Sequence, residues 1–252
     1  MVHQTSVSDD ARNFELVLTC EHASHALPPD LEDLGVSADA LCSHASWDPG
    51  ALELTRALAA RFEVHPFVGS YSRLVVDLNR GATSPDVIPA NSFGLPVPGN
   101  QHLGDDERQQ RIRAYHQPYR RAVERAVRAI VDGGRRCLLV SIHSFTPVLG
   151  DSVRRHPAGV LFDSSLPLEG AIATAMLQSL RDRDVDAHPN YPYTGTGSGV
   201  YSELRRAFPA GSYAGIEFET RLDELSDSRQ VLRWVDLYTS ALSAGLQVLR
   251  EH

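Results

Sequence analysis

Short apolar runs that alternate with amphipathic helical patterns constrain the fold more than any other feature. FELVLTC, RLVVDL, CLLVSI and YAGI each have the length and apolar character of a buried strand. Between them, patterns such as DPGALELTRALAARF indicate helices, and here Asp48 is placed to cap the helix with Pro49 in its first turn. Strands that alternate with helices form a mostly parallel or mixed sheet with helices on both faces. The sequence therefore predicts an α/β fold of this kind.

The strand and helix patterns run through most of the chain without a repeat, a low-complexity tract or a linker. We therefore expect a single domain over residues 13–252, preceded by a flexible tail over residues 1–12. Two long irregular segments, residues 81–101 and 189–201, are rich in glycine and proline. Loops of this length within a compact domain are usually functional.

The charge pattern excludes several classes of partner. The formal net charge is −8, from 24 basic and 32 acidic side chains. Because the two signs are interspersed along an acidic chain, we expect neither nucleic acid nor a membrane as a partner. The chain contains no lysine, which excludes Schiff-base catalysis and the lysine of a phosphate-binding loop. A small acidic substrate stays possible, because a few arginines can outweigh the acidic surface locally.

Cysteine usage and the polar N-terminus predict a cytoplasmic protein. Cys20, Cys42 and Cys137 form an odd, unclustered set, which is typical of reduced thiols. The first residues lack the apolar segment of a secretory signal. No apolar run approaches the roughly 18 residues that a membrane span requires. The sequence does not indicate an oligomeric state.

Reactive side chains follow three of the predicted strands at their carboxyl ends. Glu21 and His22 follow FELVLTC, His143 follows CLLVSI, and Glu217 follows YAGI. Ligands bind at this edge of an open α/β sheet. Two imidazoles and a carboxylate match the ligands of a catalytic zinc site, although a single histidine at a strand end is more often only hydrogen-bonded. A further carboxylate, Asp48, begins a predicted helix and can serve as a ligand, as a helix cap, or as both.

Seven motifs along the chain resemble those of the N-formylglutamate amidohydrolase family. In order they are CEHASH, HASWDPGA, YSRLVVDLNRG, VPGN, SIHSFTPVLG, NYPYTG and GIEFETRLDE. The resemblance extends from about Phe14 to Glu224, and SRLVVDLNR and IHSFTPV are its most specific motifs. The motif order is also distantly similar to that of zinc carboxypeptidases. The resemblance implies a zinc-carboxypeptidase-like fold and a hydrolase that converts N-formyl-L-glutamate to glutamate and formate in histidine degradation.

The resemblance also implies a set of metal ligands. His22, Asp48 and His143 would hold one Zn²⁺ per chain, or another divalent transition metal, and leave one position open for water. Glu21 remains an alternative to Asp48 as the carboxylate ligand. Otherwise Glu21 and His25 would lie behind the ligands and orient them.

Catalytic and substrate-binding roles follow from the same motifs. Glu217 would act as general base and then as general acid, with Glu219 as the weaker alternative on the same strand face. Because guanidinium groups match carboxylates bidentately, Arg80 with Asn79 is the first choice for binding a substrate carboxylate, and Arg73 the second. Further residues expected to line the pocket are Asn100, Thr146 and Tyr193.

Two other functions stay open at this level. The chain can be a zinc-dependent deacylase or a carboxypeptidase-like hydrolase that acts on another N-acyl amino acid or on a short peptide. It can also be a non-catalytic relative that binds a small anion. The second alternative is disfavoured because both histidines, Asp48 and Glu217 are all present.

Overall fold

A six-stranded mixed sheet forms the centre of the fold. The computed structural model describes residues 14–197 and 199–251, so the tail expected over residues 1–12 lies outside the described residues. The strands are β1 (Phe14–Cys20), β2 (Phe67–Val68), β3 (Asn91–Ser92), β4 (Leu95–Pro96), β5 (Arg136–Phe145), β6 (Val148–Leu149), β7 (Ser152–Val153), β8 (Ala158–Leu161), β9 (Ala187–Pro189) and β10 (Tyr213–Arg221). The helices are α1 (Ala38–Leu41), α2 (Ala51–Phe62), α3 (Asp105–Arg111), α4 (Gln117–Asp132), α5 (Pro167–Arg181), α6 (Val200–Leu204) and α7 (Ser228–Glu251). Within the described residues, none of the helices is both long and apolar enough to cross a membrane.

The strands of the central sheet lie in the order β2-β1-β5-β10-β8-β9. The first four run parallel to one another, β8 runs antiparallel to β10, and β9 runs parallel to β8. Two short antiparallel pairs, β3 with β4 and β6 with β7, lie outside this sheet. The predicted mostly parallel or mixed α/β sheet is confirmed.

Helices cover both faces of the sheet, because its central strands are apolar on both faces. Leu18, Val140 and Ile216 point to one face, where they form a core with α2, α5 and α7. Val17 and Leu139 point to the other face, where they pack against α4 and α6. Side chains alternate between the two faces along a strand. The odd-numbered residues of β1, β5 and β10 therefore share the face that α4 covers.

This alternation determines where the polar side chains of the strands lie. Ser141 and His143 of β5 are odd-numbered, as are Glu217 and Glu219 of β10. In the parallel pairing of these strands, Glu217 is the partner of Ser141 and Glu219 is the partner of His143. All four side chains are buried. They form a polar patch on the α4 face, towards the carboxyl ends of the strands.

Residues 73–78, RLVVDL, form a series of turns, and their prediction as a strand is wrong. The Val75 N–H donates to the Ser72 carbonyl at 3.0 Å, and the Asp77 N–H donates to the Val87 carbonyl at 2.7 Å. The apolar side chains of the segment are buried in two small clusters, which they share with residues 81–101 and other loop residues. The run is as buried as a strand would be, but its neighbours are loop residues and helical residues such as Ile112. Burial alone therefore could not reveal its backbone conformation.

Helix α2 begins later than predicted. Its N-cap is Gly50, at φ +81°, so Asp48 does not cap the helix and Pro49 precedes it. A side chain at residue 50 is excluded, because a Cβ there would lie 2.7 Å from the Leu225 Cβ. The carboxylate of Asp48 is left free to point into the site described below.

The arginine-rich segment from Asp105 to Asp132 is helical throughout, but the type of helix changes between α3 and α4. The two helices are joined by a π-turn, Ile112–His116, within one continuous rod. His116 Nε2 lies 2.7 Å from the Arg80 carbonyl oxygen, and Arg120 donates to the Leu78 carbonyl at 3.1 Å. The rod therefore fixes the backbone of the loop that leads away from the RLVVDL turns.

Candidate active site

Three potential metal ligands converge where β1 and β5 end. His22 follows β1, His143 lies near the end of β5, and Asp48 lies in the loop before α2. His22 Nδ1 is 3.3 Å and His143 Nδ1 is 2.7 Å from the same oxygen, Asp48 Oδ2. The ligand atoms of the three residues all lie within 4.8 Å of one another, and all three residues are buried. These residues, which we call the central group, can hold a metal ion.

The other ring nitrogens of both histidines are held by two further carboxylates. His22 Nε2 lies 2.7 Å from Asp77 Oδ1, and His143 Nε2 lies 2.9 Å from Glu21 Oε2. A neutral imidazole has one N–H, so donation at Nε2 leaves the Nδ1 lone pairs directed at Asp48. Ligand atoms around a tetrahedral zinc ion are about 3.3 Å apart, because the bonds to zinc are about 2.0–2.1 Å long. The donor set of the central group fits an ion of this size.

The site carries more buried negative charge than its own side chains neutralise. Its buried acidic residues are Glu21, Asp48, Asp77, Glu217 and Glu219. Burial lowers the pKa of His143, but the charge of Glu217 and the hydrogen bonds to Asp48 and Glu21 outweigh burial, so the pKa stands well above its ordinary value. A proton on the imidazole or a metal cation satisfies this demand for positive charge. A divalent ion satisfies it more fully.

Asp48 is fixed in an ionised form between the two histidines. Its backbone N–H donates to the His22 carbonyl at 2.9 Å, and its Oδ1 accepts a hydrogen bond from Arg73. Burial raises the pKa of Asp48, but the charges of Arg73 and His22 hold it well below its ordinary value. A carboxylate that is already ionised is ready to bind a cation.

Glu21 lies behind His143, on the side away from Asp48. Its carboxylate accepts hydrogen bonds from the Tyr119 hydroxyl at 2.7 Å and from the Ser141 hydroxyl. Burial raises the pKa of Glu21, but the hydrogen bond and charge of His143 outweigh it and lower the pKa to about 2. The geometry therefore places Asp48 between the two imidazoles and Glu21 as the support of one of them.

Glu217 lies beside His143, at the ring nitrogen that Glu21 also contacts. Its Oε2 lies 3.7 Å from His143 Nε2 and accepts a hydrogen bond from Asn79 Nδ2 at 3.1 Å. Asn79 Oδ1 accepts in turn from the Val200 N–H at 3.3 Å. Burial raises the pKa of Glu217, and the charge of His143 opposes the rise only in part. A raised pKa makes a carboxylate a stronger base, which suits a group that takes up a proton and later returns it.

A cavity of about 530 Å³ opens in front of these side chains. Its walls include His22, His44, Asp48, Arg73, Asn79, Arg80, Phe93, His143, Tyr193, Glu217 and Glu219. The Oε2 atom of Glu219 is buried without a hydrogen-bond partner among residues 14–197 and 199–251. Burial and the charge of Glu217 raise the pKa of Glu219 well above its ordinary value. The cavity wall therefore offers a further carboxyl group beside Glu217, and burial favours its protonated form.

The two arginines expected to bind substrate have different surroundings. Arg80 lines the cavity and is exposed, and its Nη1 donates to the Asn79 carbonyl at 3.2 Å. Arg80 forms no ion pair with any residue that the structure describes. Arg73 lines the cavity as well, but it is buried and already hydrogen-bonded to Asp48. Arg80 is therefore the arginine with charge to offer a ligand.

Of the other residues expected near the site, Tyr193 lines the cavity, whereas Asn100, Thr146 and His25 lie outside its walls. Asn100 is buried and donates to two loop carbonyls at 2.7 and 2.8 Å, so it ties the RLVVDL turns to the long loop. His25 is exposed and packs against a tryptophan ring at 4.9 Å. Among the described residues, the buried hydroxyl of Thr146 has no hydrogen-bond partner.

Two residues of the site, Asp77 and His44, could not be identified from the sequence. Burial raises the pKa of Asp77, but the contact with His22 lowers it below its ordinary value, so Asp77 is an ionised support of that imidazole. Burial lowers the pKa of His44 to about 3, which keeps the ring neutral. Among the described residues neither ring nitrogen of His44 makes a hydrogen bond, although its Nδ1 lies 3.3 Å from Asp48 Oδ1. The available signals were an acidic residue within an apolar run and a histidine four residues before Asp48.

Comparisons with known proteins point to one family. The family model of N-formylglutamate amidohydrolase matches residues 14–225. A solved gene product of Agrobacterium tumefaciens has 32% identity and a TM-score of 0.84, over 95% of this chain and 93% of that chain. The solved N-formylglutamate amidohydrolase of Ralstonia eutropha JMP134 has 18% identity and a TM-score of 0.73, over 96% of each chain. A search of curated protein sequences finds no significant match.

Together with the family match, the mixed α/β sheet and the polar site at its edge define an amidohydrolase. The chain belongs to the N-formylglutamate amidohydrolase family, as its motifs indicate. The match covers every residue of the central group, as well as Asn79 and Glu217.

Proposed function

We propose that the protein is a zinc-dependent amidohydrolase that hydrolyses N-formyl-L-glutamate to formate and glutamate, as a cytoplasmic step of histidine degradation. One observation carries the proposal. Both imidazoles of the central group direct Nδ1 at Asp48 Oδ2, while Asp77 and Glu21 hold their Nε2 atoms. Carboxylates behind metal-binding histidines are typical of catalytic metal sites.

The residues of the central group would hold the ion through His22 Nδ1, His143 Nδ1 and the Asp48 carboxylate. Zinc in such a site supplies a Lewis acid and lowers the pKa of water towards neutrality. Asp77 and Glu21 fix the tautomer and the orientation of the two rings. Arg73 keeps Asp48 ionised and in place through its hydrogen bond to Oδ1.

Glu217 would move the proton of the reaction. Its carboxylate takes a proton from water as the water oxygen bonds to the formyl carbon. The same carboxyl group returns the proton to the amide nitrogen as the C–N bond breaks, which releases formate and the free amine of glutamate. Asn79, which donates to Glu217 at 3.1 Å, holds the carboxylate in position for both transfers.

The cavity walls match an acidic substrate. Arg80 offers an unpaired guanidinium group at the exposed side of the cavity, which suits a substrate carboxylate. His44 and Tyr193 line the same cavity, and the neutral His44 ring has an N–H to donate. These features support a small N-acyl amino acid that carries negative charge as the substrate class.

A metal analysis coupled to a formate-release assay tests the proposal directly. We expect zinc to co-purify with the chain, formate to be released from N-formyl-L-glutamate, and both to be lost on chelation and restored by added zinc. Glu217→Gln should retain zinc but lose formate release, whereas Glu53→Gln, an exposed change on α2, should keep both. Full hydrolysis by metal-free protein would contradict the proposal.

The acyl group and the amino acid need a separate test. Formyl and acetyl groups differ by one methyl group, and such a difference is worth only about 1–3 kcal/mol in an apolar pocket. A panel of N-formyl and N-acetyl amino acids should show the highest kcat/KM for N-formyl-L-glutamate. Faster turnover of an acetylated or peptide substrate would assign the second hydrolase function considered above.

A further inference from the structure

A second group of two histidines and one aspartate lies at the outer edge of the sheet. His156 precedes β8, and Asp186 and His188 lie at the start of β9, the strand next to it. Asp186 and His188 are two residues apart, so they point to the same side of the strand. We call His156, Asp186 and His188 the edge cluster. None of the three residues lines the cavity of the central group.

The edge cluster already has the geometry of a ligand set. His156 Nδ1 lies 2.7 Å from Asp186 Oδ2, and His188 Nε2 lies 3.1 Å from Asp186 Oδ1. The ligand atoms of all three residues lie within 4.8 Å of one another. The two imidazole rings are stacked, with centroids 3.5 Å apart and planes at 28°. One carboxylate thus faces a nitrogen of each ring with a different oxygen.

Stacked rings at this distance disfavour a positive charge on both imidazoles at once. Two protonated imidazoles 3.5 Å apart repel each other, so the single Asp186 carboxylate cannot stabilise both rings as cations equally well. If both rings are neutral, one nitrogen of each ring and the Asp186 carboxylate can all bind the same metal ion. Two imidazoles and a carboxylate are the donor set that zinc, copper and nickel prefer. The exposure of the cluster leaves room for water at the remaining positions.

The backbone around the edge cluster is closely packed, which limits how far the ligands can separate. Tyr191 packs edge-on against His156, with ring centroids 4.9 Å apart and planes at 83°. The Tyr191 carbonyl oxygen lies directly against β8 at Gly159. A Cβ at that position would lie 1.6 Å from this oxygen. The strand, the loop after β9 and the His156 ring therefore form one packed unit.

We propose that the edge cluster is a second metal site, which binds one divalent transition-metal ion of the zinc, nickel and copper class. It binds more weakly than the central group, because its ligands are exposed and no described residue supports the far side of either imidazole. The site does not depend on the hydrolytic function proposed above.

Calorimetric titration of the metal-free full-length chain with Zn²⁺ tests the site. We expect His188→Ala to lose one weakly bound equivalent relative to the unchanged chain, and His156→Ala to lose the same equivalent. His65→Ala, which removes an exposed histidine elsewhere, should leave the titration unchanged. Far-UV circular dichroism and thermal melts should show that all three variants fold.

Two outcomes separate this proposal from the proposed function. His143→Ala should retain the weak equivalent and lose only the tight one, whatever the fate of hydrolysis. If the titration of His188→Ala coincides with that of the unchanged chain, the edge cluster is not a metal site. The same conclusion follows if His65→Ala loses as much binding as His188→Ala, since binding would then reflect any exposed histidine.

Discussion

The central group and the edge cluster contain the same three side chains, two imidazoles and one carboxylate, in different surroundings. The side chain of Asp48 is 1% exposed, whereas that of Asp186 is 68% exposed. In the central group, a second carboxylate contacts the Nε2 atom of each histidine. Among the described residues, no such carboxylate contacts the remaining ring nitrogens of the edge cluster. Glu217 and the cavity of about 530 Å³ adjoin the central group, and the edge cluster does not line that cavity. Ligand types can make a metal site, but buried support and a neighbouring proton acceptor make it catalytic.

The sharpest test of this comparison removes one histidine from each cluster. His143→Ala should lower formate release by at least about 10³-fold, because both water activation and the alignment of the proton acceptor are lost. His156→Ala should leave the initial rate unchanged. The measurement is the initial rate on N-formyl-L-glutamate, with zinc per chain determined on the same samples. Equal losses in the two variants would show that the clusters do not differ as we describe.

The next effect isolates the proton acceptor from the metal ligands. Glu217→Gln should lower kcat by about 10²–10⁴-fold, the usual contribution of general acid–base catalysis. Zinc content and KM should stay close to those of the unchanged chain, because Glu217 lies beside the central group rather than within it. Steady-state kinetics and metal analysis check this. If this variant lost its zinc, the result would show that Glu217 is a metal ligand.

A third prediction concerns the support of the ligands. Asp77→Asn removes the charge that His22 Nε2 contacts, so zinc affinity should fall by about 10–100-fold, the typical effect of a group that orients a ligand. Excess zinc should restore much of the rate. Asp132→Asn, an exposed change at the end of α4, is the matched control. Competition with a chromophoric chelator measures the affinities, and an unchanged affinity in Asp77→Asn would remove the distinction in support between the two clusters.

The smallest effect is expected on the stability of the metal-free chain. His188→Ala should change the free energy of unfolding by no more than about 0.5 kcal/mol, as exposed substitutions usually do. Urea denaturation in the presence of a chelator measures this. A larger loss would show that the stacked imidazoles of the edge cluster have a structural role.

The sheet and the residues at its strand ends could be predicted from the sequence, because buried strands read as short apolar runs. The apolar runs that end near His22, His143 and Glu217 correspond to strands β1, β5 and β10. The family model confirms the resemblance that the motifs indicate. The same criterion failed for RLVVDL, which is equally apolar but packs against loop and helical residues instead of strands. Periodicity reports burial, and it does not report whether the neighbouring chain is a strand.

The contacts that support the ligands could not be predicted, because they join residues far apart in the chain. Asp77 reaches His22 across 55 positions and Glu21 reaches His143 across 122. Nothing in a single sequence specifies which acidic residue meets which imidazole. His25 is nearer to His22 in sequence, but it is exposed, because the chain turns outward after the strand.

Because of the π-turn between α3 and α4, the number of residues in this helical segment is as important as the side chains that it carries. The Gln117 N–H bonds to the Ile112 carbonyl five residues earlier, so the rod holds one residue more than a regular helix would. Each residue turns a helix by about 100°, since a full turn takes 3.6 residues. Deleting a single residue here would rotate His116 and Arg120 away from the backbone carbonyls that they contact. A substitution keeps the spacing of the residues and would not cause this rotation. The number of residues in this helical segment therefore determines how the loop that carries Asn79 and Arg80 is held.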